Sequence, residues 1–118
     1  MAAPASATEW TRCADPGEAV EVALLQGTID AFAAVAATMR HGEEHWVTDP
    51  AYGEGTPFSI GQGFADETGM RVDFFDEIVN ERLAELRLYR AEEGGETVTA
   101  GVLRIIGQGV WPVICDAG

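Results

Sequence analysis

The chain has 118 residues, the size of one ordinary domain, and its 47% apolar share is enough to fill a core. Twenty acidic residues against seven basic ones leave a net charge of −13. That balance opposes a nucleic-acid partner or an anionic membrane face, since both need a cationic footprint.

No apolar run approaches the roughly 18 residues that a membrane-spanning helix needs. The opening MAAPASAT lacks the basic and apolar regions of a signal peptide. Residues 1–15 therefore read as a disordered lead-in or the remnant of a clipped transit peptide. Cys13 and Cys115 lie near opposite ends without metal-type spacing. Their simplest reading is a pair of reduced thiols in an intracellular, cytoplasmic protein, with a disulfide the minority alternative.

GEAVEVALLQ (17–26) alternates, with Val20 and Val22 on one side and Glu21 on the other, the period of a half-buried strand. GTIDAFAAVAATMRHG (27–42) changes period. Ile29, Phe32, Ala33, Ala36 and Met39 form one apolar stripe at helical spacing. Thr28 is placed as an N-cap, and Gly42 as the left-handed residue that ends a helix. EEHWVTDP (43–50) then reads as a strand running into a turn.

The stretch 53–69 holds five glycines with Pro57, Phe58 and Phe64 and reads as loop throughout. GMRVDFFDEIV (69–79) alternates as a strand does. NERLAELRLYR (80–90) is ambiguous in its first half, but Leu86 and Leu88 favour a strand. EEGGE (92–96) marks a turn, TVTAGVLRII (97–106) a further strand, and GQGVWP (107–112) its break. The expected class is α+β, an antiparallel sheet packed on one short helix.

Thr28-Ile29-Asp30-Ala31-Phe32, Met39-Arg40-His41-Gly42-Glu43 and Pro50-Ala51-Tyr52-Gly53 follow one another in the order of three family motifs. Over this span the chain resembles the middle of an FKBP-type peptidyl-prolyl cis–trans isomerase. There a helix opens at V-I-x-G-[FW], closes at M-x-x-G-E, and leads through a strand to an A-Y-G loop. Gly101, Val102, Arg104, Ile106, Gly107, Gly109 and Pro112 resemble the start of a following domain in tandem members of the family. The resemblance implies an incomplete FKBP-like domain over 16–90, with a linker and possible first strand of a next domain over 91–118. This sequence departs from the family at Ala31, where a glycine is usual, and in lacking most of the family's front half.

Rotation about an X–Pro bond faces a barrier of about 18–20 kcal/mol, because resonance flattens the amide. A dry apolar cleft favours the twisted, less polar transition state and needs no metal or other cofactor. The resemblance implies that Phe32 is the floor under the proline ring and that Ile29 offers a backbone N–H to a substrate carbonyl. Tyr52 would be a wall with a phenolic donor, and Val20 and Val22 would line the side. The implied partners are proline-containing peptides or proteins and macrolide ligands, not nucleic acid or membrane.

Blander readings stand beside these. Phe32 on an apolar stripe is often plain core, and Tyr52 in a loop is often surface. His41 and His45, with Glu43 and Glu44, are better read as solvated turn charges than as a metal site. The G-x-G pairs at 53–55, 61–63 and 107–109 lack the lysine and the strand–helix setting of a phosphate loop. The expected activity is prolyl isomerisation. The alternatives are a non-catalytic FKBP-like peptide-binding or chaperone-associated module, and an unrelated small α+β protein.

Overall fold

Val20, Val22 and Leu24 occupy every second position of one segment and are all buried; so are Ala84, Leu86 and Leu88 in another. Such alternation puts one face of a strand on a core and the other outside. It recurs around the molecule. In the computed structural model, which describes residues 8–27 and 34–117, the strands are β1 (Thr8–Ala14), β2 (Val20–Gly27), β3 (Ala34–His41), β4 (Glu44–Val47), β5 (Thr56–Asp66), β6 (Gly69–Asp76), β7 (Arg82–Glu93), β8 (Glu96–Ile105) and β9 (Gly109–Ala117). A single 3-10 turn, Pro50–Tyr52, separates β4 from β5. The strands pair in chain order and close into a barrel.

The barrel is filled. Its inward-facing side chains include Cys13, Val22, Leu24, Met39, Trp46, Phe58, Phe74, Leu86, Leu103 and Val113. The Phe58 and Phe74 rings stack with centroids 5.3 Å apart. Burying a side chain of this size contributes about 1.5–3 kcal/mol, so the interior supplies stability rather than a ligand chamber. Charged residues such as Glu21, Asp73, Glu85 and Arg104 take outward positions and pair there.

Nine strands impose a parity rule. Each antiparallel neighbour reverses chain direction, so a closed ring must contain an even number of antiparallel contacts. Eight of the nine contacts are antiparallel. The ninth, between β4 and β5, is parallel and spans only Trp46↔Thr56 and Val47↔Pro57. The closing seam between β1 and β9 is short, running from Thr11↔Ala117 to Ala14↔Ile114. Within it Cys13 and Cys115 stand directly opposite and form a disulfide across 102 residues of sequence. On loop-entropy grounds a cross-link of that span stabilises by about 4–5 kcal/mol.

These observations correct several expectations. The class is all-β and not α+β: among the described residues there is no α-helix. Ala34–His41, expected in the second half of a helix, is strand β3. Alanine suits either period, and Ala37 and Met39 serve as alternate inward residues opposite Leu24 and Val22. Gly42 does have a positive φ of 62°, but it opens the tight turn between β3 and β4 instead of ending a helix. The front of the expected helix, 28–33, lies outside the described residues.

The glycine-rich 53–69 contains β5, whose register shifts between Ile60 and Gly63. Glycine is at home in such a bulge. Thr8–Ala14, expected in the lead-in, is β1, and residues 91–117 complete β7 and supply β8 and β9 of the same barrel. Pro112 sits within β9 opposite Val102, upstream of the point where β9 meets β1, so its missing N–H interrupts no seam contact. The cysteines are paired and not reduced.

The β1–β2 connection rests on a carboxylate. Asp15 accepts the Val20 N–H at 2.9 Å and the Gly17 N–H at 3.2 Å. These hydrogen bonds, that from Val20 foremost, hold its carboxyl below the ordinary aspartate range. A depressed folded pKa gives stability that is present above the unfolded value of about 4 and is lost as pH falls through the folded value. Asp15→Asn is therefore expected to unfold at lower temperature than wild type at pH 7. The gap should narrow as the pH is lowered from about 5 to about 2 in thermal melts. A gap independent of pH would show that the charge on Asp15 contributes nothing.

Candidate functional site

The parallel contact between β4 and β5 decides where the most distinctive surface lies. After Val47 the chain must double back to start β5 level with Trp46, and residues 48–55 make that excursion. With the interior filled, the excursion runs over the outside of β2 and β3. Thr48 anchors its start: the Ala37 N–H donates to Thr48 Oγ1 (3.1 Å), and that hydroxyl donates to the Ala37 carbonyl (3.3 Å). Asp49 then caps the 3-10 turn, accepting the Ala51 N–H at 2.8 Å. Pro50 fits the first position of the turn, and Gly53, at φ 129°, ends it in a conformation that suits glycine.

This turn delivers Tyr52 to the outer face, where its ring meets Trp10 of β1 edge-on, with centroids 5.4 Å apart. Edge-to-face packing is a favoured aromatic geometry. The pair walls a groove of about 660 Å³, floored by Ala23 and Thr38 and rimmed by Glu9, Arg12 and Asp116. The floor follows from register, since Arg12, Ala23 and Thr38 are successive neighbours on β1, β2 and β3. A small residue at Ala23 leaves the depth.

On the other side of Tyr52 lies a second groove of about 500 Å³, rimmed by Glu21, Arg40, His45 and Glu54. Thr38 and Tyr52 belong to both. Tyr52 is thus a ridge, 42% exposed, between two hollows. Ion pairs fix the polar rim: Glu21 meets Arg12 at 2.7 Å and Arg40 at 3.9 Å. That leaves Glu9, Glu54 and Asp116 as acids along the grooves.

The residues read from sequence as one pocket are not assembled as one. Val20 and Val22 are wholly buried and face the barrel interior, away from Tyr52, whose groove uses the alternate position Ala23. Ile29 and Phe32 lie outside the described residues. Trp10 was not foreseen, because its pairing with Tyr52 depends on a strand placed in the expected lead-in.

His41 and His45 fall on opposite faces. His41 packs on Trp111 and hydrogen-bonds Gln108, while His45 borders the second groove. Among the described residues no three His, Cys, Asp or Glu side chains come together as a metal site. None of the described helices is long and apolar enough to cross a membrane.

Comparison with family models, curated proteins and solved structures finds no match.

If Thr48 holds the excursion, Thr48→Val should remove both hydroxyl hydrogen bonds while keeping the shape of the side chain. The expected loss is about 1–2 kcal/mol in urea unfolding, together with weakened ring-to-ring NOEs between Tyr52 and Trp10. Unchanged NOEs would mean that the turn is held by something else.

Proposed function

We propose that the chain is a non-catalytic binding module for extended, proline-containing peptide segments that carry basic residues. The observation that supports this is the Tyr52 ridge, braced edge-on by Trp10, with a groove on either side. A polyproline helix is left-handed, with three residues per turn, and presents ridges of pyrrolidine ring to hollows between aromatic side chains. It loses little entropy on binding because proline has already fixed its backbone. The rim acids Glu9, Glu54 and Asp116, which form no ion pair among the described residues, and the surplus of carboxylates overall favour a ligand with lysine or arginine beside its prolines.

Catalysis of bond rotation asks for more than this surface offers. The transition state is favoured by a dry enclosure around the amide, whereas both grooves are surface hollows with charged rims and their dividing tyrosine is partly exposed. Binding is the part of the prolyl-peptide expectation that the geometry supports. The Cys13–Cys115 disulfide further favours an oxidising compartment over the cytoplasm for this module.

The test is a titration with an arginine-flanked proline-rich peptide, followed by calorimetry and by tryptophan emission. Saturable binding is expected, weakening with added salt as the acidic rim is screened. Tyr52→Ala and Trp10→Ala should each weaken it by about tenfold or more, as for aromatic anchors at interface centres. Exchange spectroscopy on the peptide's X–Pro bond should show no faster isomerisation with the protein than without. Binding that survives Tyr52→Ala would remove the basis of this reading, and accelerated isomerisation would restore the enzymatic one.

A further inference from the structure

A different face carries a second, cationic site. All seven basic residues are arginine. Arg12, Arg40, Arg82, Arg87 and Arg104 form ion pairs with carboxylates. Arg71 on β6 and Arg90 on β7 form none among the described residues, although the chain has twenty acids to offer, and Arg71 lines a surface hollow.

Its neighbours make the position more unusual. Arg71 stands directly opposite Arg87 of β7, a cross-strand pairing of like charges that costs stability. Arg87 is already committed to Asp73, at 2.9 Å, and to the Leu86 carbonyl, at 3.0 Å. Across the other edge of β6, Arg71 is opposite Phe64. Phe64 is 58% exposed, and Tyr89 of β7, one step along the same face, is 72% exposed.

Gly69 turns these side chains into a groove. It is the residue opposite Tyr89, and a β-carbon there would overlap the Leu88 carbonyl, so no side chain can occupy the space. The result is a hollow of about 550 Å³ floored by Gly69, with Phe64, Tyr89 and Arg71 around it. That size falls within the range of small-molecule sites.

The carboxylates that line this groove and the adjoining hollow, Asp66 and Asp73, are both engaged. Asp66 Oδ1 accepts the Thr68 N–H, the Thr68 hydroxyl and the Gly69 N–H, at 2.8, 2.7 and 3.2 Å. Those donors, the Thr68 hydroxyl foremost, hold its carboxyl below the ordinary range. Asp73 is shared between Arg87 and Arg82.

We infer that this groove binds a small aromatic carboxylate, with its carboxylate on the Arg71 guanidinium and its ring over the Gly69 backbone between Phe64 and Tyr89. A guanidinium fork matches a carboxylate in two parallel hydrogen bonds. The bound anion would also relieve the Arg71–Arg87 repulsion. The flanking aromatic rings supply flat apolar surface that a bare inorganic anion would leave wet.

The test uses 2-naphthoate, its neutral amide 2-naphthamide, and acetate, each titrated into the 15N-labelled protein. Naphthoate is expected to give saturable amide shifts confined to residues 64–71 and 87–90, and the other two compounds none. Arg71→Gln should weaken naphthoate binding by about tenfold or more, and Phe64→Ser should weaken it as well. The unshifted remainder of each variant's spectrum shows that it is folded. Three results would each overturn the inference: no saturable shift with naphthoate, equal binding of the amide, or unaltered affinity in Arg71→Gln. Resonances near Trp10 and Tyr52 report separately on the other face, so failure at one groove leaves the other unaffected.

Discussion

A ring of nine strands cannot be antiparallel all the way round, and the rest of this structure follows from how that constraint is met. One parallel contact, two residue pairs long between β4 and β5, restores the parity. It lets β1 and β9 meet antiparallel, with Cys13 and Cys115 in register for a disulfide. The same parallel step forces the chain to double back through 48–55, and that detour carries Tyr52 onto the outer surface. Closure of the barrel and construction of the groove are thus one event seen at two places.

The filled interior explains why binding surfaces lie outside. Barrels of about this size hold either side chains or one small ligand, and here side chains from every strand take the space, Cys13 for β1 and aromatic or aliphatic groups for the others. What remains for recognition is the outer wall, where small residues leave hollows between larger ones. Ala23 does this beneath Trp10 and Tyr52, and Gly69 does it between Phe64 and Tyr89. The first groove is rimmed mainly by acids, and the second centres on an arginine without an acidic partner among the described residues. Two ligands of opposite charge are accordingly what we propose for them.

Much of the strand content was legible from local alternation. Val20 and Val22 announce β2, and Leu86 and Leu88 announce β7, because alternation is a property of the few residues concerned. Three features were not legible, each for a physical reason. Alanines in 33–37 fit a helical stripe as readily as a strand, and the partner strand that decides between them is a long-range fact. The glycines of 53–63 look like loop until Phe58 and Ile60 are seen packing inward just ahead of a bulge.

The third is the seam. Cys13 and Cys115 carry no local spacing signal, since only ring closure brings them together. At the grooves, the Asp49–Pro50 start and Gly53 stop of the turn under Tyr52 could be read from sequence. Trp10 and Arg71 could not be linked to their neighbours without the strand register.

Ring closure is tested most directly by backbone NOEs across the two contacts that make it possible. In the oxidised protein, antiparallel NOEs are expected between Arg12 and Asp116 and between Cys13 and Cys115, with parallel-type NOEs between Trp46 and Thr56. Strand-like chemical shifts should run through 34–41. Absence of the β1–β9 contacts, or helical shifts across 34–41, would contradict the closed barrel and everything placed on its outer wall.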